Sequence, residues 1–297
     1  MASDELIEIN AMLRSQVMAA MSLEVQRDVF EGSAGAPPDG TRIDAGGPDE
    51  VPCEWLVPTG NTAGFTILSL GGGGYCLGSL ASNRRFSGLL AEVTGATVRS
   101  VGYRRAPELP FPAAIEDALA AHRWLVGTGT PASSIAVVGN SAGGGLALAL
   151  LLALRDAGDA PPGCAAAMSP WTDLALTGDS ITSNAATEVM LDPIAIADTA
   201  AMYVDPDRAT NPLASPLHGH LGGLPPVLLH ASKAEILRDD SIRFAEKARA
   251  AGSDVTLTLV DDAPHVWHLF AGLLPEADDA LDAVGRWITA RMERVPG

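Results

Sequence analysis

The sequence predicts an α/β protein with a mainly parallel sheet, and three observations carry that prediction. Short apolar runs alternate steadily with helix-period segments along most of the chain. Such alternation implies crossover units, parallel strands and helices on both faces of the sheet. The chain has 297 residues, 47% of them hydrophobic, which is enough for a sizeable packed core. The alternation lapses once at length, between Leu174 and Pro216, in a segment rich in Thr, Asn, Asp and Pro.

Taken in order, Leu6, Ile9, Met12, Leu13, Val17 and Met21 recur at helical spacing, so residues 5–21 read as an amphipathic helix whose apolar stripe needs a partner. Residues 32–50, with their Pro and Gly, read as loose. CEWLVP and GFTILSL are strands, RRFSGLLAEV a helix, ATVRSVGY a strand and PAAIEDALAAHRWLVG a helix. SIAVVGN is the next strand and SAGGGLALALLLALRDAG the helix after it. CAAAMSP and PVLLHA are strands, DSIRFAEKARAAG a helix, VTLTLV a strand and EADDALDAVGRWITARME the closing helix. An interruption as long as 174–216 inside a parallel sheet reads as an excursion over the carboxyl ends of the strands, where ligands bind. With the N-terminal helix it reads as a lid. Met12, Met18 and the residues around Met190 are candidates for its pocket walls, with plain hydrophobic packing as the alternative reading for each.

Nineteen basic residues against 36 acidic ones give a net charge of −17, which argues against nucleic acid and anionic membranes as partners. Cys53, Cys76 and Cys164 form no CxxC and no ladder of spacings, so neither a disulfide framework nor a zinc site is expected. Reduced thiols fit the cytoplasm. The acidic N-terminus lacks the positive charge of a signal peptide, and no apolar run is long enough to span a bilayer.

GNSAG, residues 139–143, matches G-x-S-x-G between a predicted strand and a predicted helix. The chemistry needs this pattern because the serine must occupy a strained turn with small neighbours, so that its Oγ stands free above the sheet. A serine hydroxyl also needs a base within hydrogen-bond reach. Of the six histidines, His265 is best placed, after the last strand and a Pro-containing turn. His230, at a strand end, is the alternative base, and His268 reads as a packed or surface residue. A third group must orient the imidazole, and the stretch SKAEILRDD offers Glu235, Asp239 and Asp240. Glu235 is favoured because it stands nearest the strand end, whereas Asp239 and Asp240 read equally well as helix N-terminal residues.

A tetrahedral intermediate needs N–H donors aimed at its oxyanion. Four glycines, Gly71 to Gly74, follow the run TILSL, and bare backbone there lets a substrate come close. No metal or phosphate motif competes for this loop: H-E-x-x-H and the Lys-Ser/Thr of a P-loop are both missing.

These blocks together closely resemble the bacterial hormone-sensitive-lipase-like carboxylesterases of the α/β-hydrolase superfamily, over almost the whole chain. YRRAPELPFPAAIEDALAAHRWL is similar to the family's Y-R-L-A-P-E-x-P-F-P-A-A segment and GNSAGG to its G-D-S-A-G-G. SPWTDL, NPLASPL, GLPPVLLHASKAEILRDDS and APHVWHLF match further family blocks. The resemblance implies an α/β-hydrolase fold, with a mainly parallel eight-stranded sheet flanked by helices and one domain over residues 1–297. It implies a helical cap from about 1–40 and about 175–215. It also implies a triad of Ser141, Glu235 and His265, oxyanion donors Gly72, Gly73 and Ala142, no cofactor and no metal. Small-molecule esters of short to medium acyl chains would be the substrates, and a homodimer is familiar in the family. A non-hydrolytic enzyme on the same scaffold (dehydratase, cyclase or acyltransferase) and a ligand-binding receptor are the rival readings.

Two positions depart from the family pattern. Gly71 stands at the loop histidine and Asn140 at the Asp before the serine. Loss of a bracing histidine is expected to loosen the oxyanion donors, and Gly71→His to raise kcat. The Asn140 change, which keeps a hydrogen-bonding side chain of equal size, is expected to have a small effect.

Overall fold

The structure, a computed structural model, describes residues 2–14 and 21–293. Its strands are β1 (Arg42–Ala45), β2 (Cys53–Val57), β3 (Thr66–Leu70), β4 (Thr97–Val101), β5 (Ile135–Asn140), β6 (Cys164–Met168), β7 (Val227–Ser232) and β8 (Val255–Val260). They form one eight-stranded sheet in the order β1-β2-β4-β3-β5-β6-β7-β8. β1 and β2 run antiparallel to their neighbours, and every pairing from β4 to β8 is parallel.

The helices are α1 (Asp4–Arg14), α2 (Leu23–Gly32), α3 (Leu80–Thr94), α4 (Ala113–Gly127), α5 (Ala142–Ala157), α6 (Ser180–Ser183), α7 (Pro193–Tyr203), α8 (Arg238–Ala250) and α9 (Pro275–Met292). Strand residues alternate between two apolar layers, as the period of two requires. Leu68, Val137, Ala165 and Leu229 face α4, α5 and α8, while Ile67, Val138, Ala166 and Leu228 face α3 and α9. Residues 142–154 of α5 are buried on every side, so this Leu- and Ala-rich helix is the centre of one layer. The stripe of α1 finds its partner through Leu6, which enters the α3/α9 layer at 1% exposure. The predicted helix over 5–21 ends at Arg14 among the described residues, and Val17 and Met18 lie outside them.

Two elements fall where the sequence reading had none. β1 lies inside the stretch read as loose, because RIDA has no apolar pattern: its burial alternates only between exposed and half-buried, and backbone pairing with β2 holds it. α2 has no fully buried residue, although Leu23 packs half-buried against the α4/α5/α8 layer. Polar bonds anchor it further. Arg27 donates to the carbonyls of Cys76 and Ala106, at 2.9 Å each, and pairs with both Glu108 oxygens, while Glu31 accepts from Ser79 and Ser82.

The strand order fixes the site. From β3 the chain crosses to β4 on one side, then returns past β3 to β5 on the other, so the carboxyl ends of β3 and β5 flank a topological switch point. The glycine loop follows β3 and Ser141 follows β5.

Candidate active site

Ser141 sits at φ 53° and ψ −125°, a strained conformation for a residue with a side chain, on the turn from β5 into α5. Its backbone is held on both sides: the N–H donates to Met168 O at 2.9 Å, and the carbonyl accepts from Gly145 and Trp171 at 3.0 Å each. The glycines around it answer to space. A Cβ on Gly139 would overlap the Gly143 carbonyl, and one on Gly143 would overlap the carbonyls of Leu70 and Gly71.

The turn aims Ser141 Oγ at His265 Nε2, 2.8 Å away, and His265 Nδ1 lies 2.6 Å from Glu235 Oε2. His265 is 3% exposed and Glu235 1%. The second Glu235 oxygen accepts from Ser232 N–H at 2.7 Å and Ser169 Oγ at 3.0 Å. Asn184, beyond α6, braces the same loop by donating to the carbonyls of Lys233 and Glu235 at 2.8 and 2.9 Å. Glu188 accepts from Ile236 N–H at 2.9 Å.

The competing candidates face elsewhere. Asp239 accepts from Ser180 N–H, and Asp240 from Thr172 and Asp173 N–H. Burial, with the neighbouring Asp173 carboxylate adding to it, pushes the Asp240 carboxyl up to about 7. Asp173 is held at about 2: burial acts to raise it, but hydrogen bonds from Thr177, His218 and Arg243 outweigh burial. His230, the alternative base, meets His268 Nε2 through Nδ1 at 3.1 Å and stacks on Trp267. Burial lowers it to about 4. His268 is a fully buried packed residue, not a surface one.

A profile of the alpha/beta hydrolase fold matches residues 67–269. The chain belongs to the α/β-hydrolase family. An acetyl-hydrolase of Streptomyces hygroscopicus is 41% identical over 286 residues, covering 96% of this chain and 94% of that one. An ethyl acetate hydrolase of Pseudomonas putida is 33% identical over 228 residues, covering 74% of this chain and 71% of that one. Among solved structures, the esterase EstE5 soaked with p-nitrophenyl butyrate superposes with a TM-score of 0.95 at 38% identity, covering 98% of this chain and all, 100%, of that one. An esterase of the bacterial hormone-sensitive lipase family gives 0.93 at 38% identity, covering 98% of this chain and 99% of that one.

In this α/β hydrolase the glycine loop is braced by side chains that its own sequence does not reveal. Tyr103 Oη donates to Gly71 O at 2.6 Å. Gly72 N–H donates to Asn140 Oδ1 at 3.1 Å. A side chain at Gly71 would overlap the amide of Asn83, whose Nδ2 is itself fixed on Ser79 O at 2.8 Å. The expectation of a loosened loop is therefore corrected: Asn83 fills the space beside Gly71, and Tyr103 and Asn140 hold the backbone. The reading of Gly72 as an oxyanion donor is corrected too, because its N–H already serves Asn140. Among the described residues no backbone acceptor takes the N–H of Gly73 or Gly74, which lie at φ 122° and 59°.

Sequence reasoning singled out none of Ser169, Asn83, Tyr103, Asn184 or Glu188. Ser169 and Tyr103 stand inside family-like blocks, SPWTDL and YRRAPE, and that placement was the available signal.

Proposed function

We propose that this α/β hydrolase is a serine carboxylesterase acting on esters of short to medium acyl chains through an acyl-enzyme intermediate. The observation that carries the reading is the continuous line Ser141 Oγ, His265, Glu235, with spacings of 2.8 and 2.6 Å, at the switch point of the sheet. Ser141 attacks the ester carbonyl while His265 Nε2 takes its proton, and His265 then delivers that proton to the departing alcohol. Water activated by the same nitrogen releases the acid and restores Ser141. Glu235 holds the imidazole with Nδ1–H toward Oε2 and stabilises the imidazolium as it forms.

The oxyanion donors are Ala142 N–H with Gly73 and Gly74, one residue further along the loop than the sequence suggested. Ala142 opens α5, so the positive end of that helix also favours charge on the oxygen. Among the described residues, those of about 2–14, 21–40 and 175–215 form a cap on one catalytic domain. Supporting this, Tyr203 of α7 stacks on Tyr75, just after the glycines, with 3.8 Å between ring centroids. Met12 and Met190 are 47% and 39% exposed. Cytoplasmic residence is supported by three buried free cysteines. Among the described residues no helix is long and apolar enough to cross a membrane.

The relatives named acetyl-hydrolase and ethyl acetate hydrolase support a small acyl group. The test is hydrolysis of p-nitrophenyl acetate, butyrate and longer esters by wild type and Ser141→Ala, with fluorophosphonate labelling of Ser141. Rapid turnover and labelling of wild type alone are expected. Equal rates in the two proteins would overturn the reading.

A further inference from the structure

We infer that Ser169 is a positioning residue that sets the acid and base loops at their working separation, an inference resting on the serine-esterase reading above. Ser169 follows β6 and is fully buried. Its φ of 46° is unfavourable for a residue with a Cβ. That conformation is pinned by its own N–H, which donates to His230 O at 2.7 Å.

The hydroxyl has a defined direction. An ionised carboxylate only accepts and a backbone N–H only donates. Ser169 Oγ therefore gives its proton to Glu235 Oε1 at 3.0 Å and accepts the N–H of Val266 at 3.1 Å. Val266 is the residue after His265 and is itself left-handed, at φ 49°. One buried oxygen thus bridges the acid to the backbone that carries the base. Among the described residues the same loops are also joined by the His265–Glu235 contact itself, by the Lys233 N–H to Val260 O bond and by the exposed Lys233–Asp261 ion pair.

The consequence for Glu235 is orientation. Ser169 Oγ and Ser232 N–H occupy Oε1 together, which fixes the carboxylate plane and leaves Oε2 for His265 Nδ1 at 2.6 Å. Removing the hydroxyl leaves a buried Val266 N–H without its acceptor and lets the carboxylate rotate about the single bond from Ser232. Ser169 touches no reacting atom, so its contribution runs through Glu235 and His265.

The test is a double-mutant cycle on p-nitrophenyl butyrate with Ser169→Ala, Glu235→Gln and the pair, each checked for folding by circular dichroism and thermal melting. Ser169→Ala is expected to lower kcat about 10- to 100-fold with KM within about 2-fold, and to cost less than about 3-fold in the Glu235→Gln background. Ser169→Cys, which keeps a weak donor of similar shape, should fall between wild type and Ser169→Ala and serves if the alanine variant does not fold. An unchanged kcat in Ser169→Ala, or the same fold loss in both backgrounds, would overturn the positioning role. Wild-type turnover and fluorophosphonate labelling separate the two failures: if both are present, only the role of Ser169 falls; if both are missing, the esterase reading falls and takes this inference with it.

Discussion

Asn140 Oδ1 accepts the N–H of Gly72 at 3.1 Å, so the residue before the nucleophile also anchors the loop that faces it. The serine and the glycine loop are therefore registered to each other through one amide. Asn140→Ala should lower kcat about 10- to 100-fold with little change in KM, because the anchor is lost while the substrate pocket stays. Asn140→Asp keeps an acceptor of the same size and should stay within about 5-fold of wild type. Steady-state kinetics on p-nitrophenyl butyrate separates the two; equal losses would show that the amide NH2, not the oxygen, does the holding.

Gly71→His should lower kcat, not raise it. The new Cβ overlaps the Asn83 amide, and Asn83 can yield only by leaving its bond to Ser79 O. Trimming the obstacle in Gly71→His/Asn83→Gly should recover at least part of the loss. If the single variant matches wild type in kcat and melting temperature, the loop is softer than its packing indicates.

Glu235→Gln should retain the fold and lose kcat by about 10³- to 10⁴-fold, since an amide can present its NH2 to Nδ1 and favour the wrong tautomer. Burst kinetics at saturating substrate reports this directly. A loss below about 10-fold would mean that the carboxylate charge is of minor value at this site.

Stability should fall on acidification from about pH 6.5 to about pH 4. Burial lowers His122 and His230 to about 4, with no acceptor or donor meeting either His122 ring nitrogen among the described residues. Their folded values lie below their unfolded ones, so the unfolded chain takes up protons first. Stability present above about pH 6.5 is lost as pH drops through this window, up to roughly 3 kcal/mol for each group. His122→Leu should raise the melting temperature at pH 7 and flatten the acid slope, because it removes an unpartnered imidazole from the interior. Urea denaturation at pH 7.5, 6 and 5 measures both; an unchanged slope would assign the acid sensitivity elsewhere.

Most of the sheet was legible because its strands are apolar runs and its crossover helices carry buried stripes. β1 and α2 were not: β1 is a short exposed edge strand, and α2 is a short helix with no fully buried residue, held in large part by Arg27 and Glu31. That Ser141, Glu235 and His265 would come together could be anticipated from chain order and strand ends, which depend on local pattern. The state of Gly72 N–H could not, because Asn140 lies 68 positions away in sequence and meets it only when β3 and β5 lie side by side. For the same reason Asn83 was invisible: nothing in a run of four glycines says which neighbour fills the space that one of them leaves.

The sheet order places the working groups on ground of unequal firmness. Ser141 rises from β5, flanked on both sides, whereas His265 follows β8, the last strand, with a sheet neighbour on one side only. A strand paired on one edge opens at lower cost than one paired on two. Mild denaturant should thus silence turnover while the far-ultraviolet signal of the folded chain is still intact. In the mechanism proposed above, the histidine that activates the serine is then the group that heat or urea displaces before the serine itself.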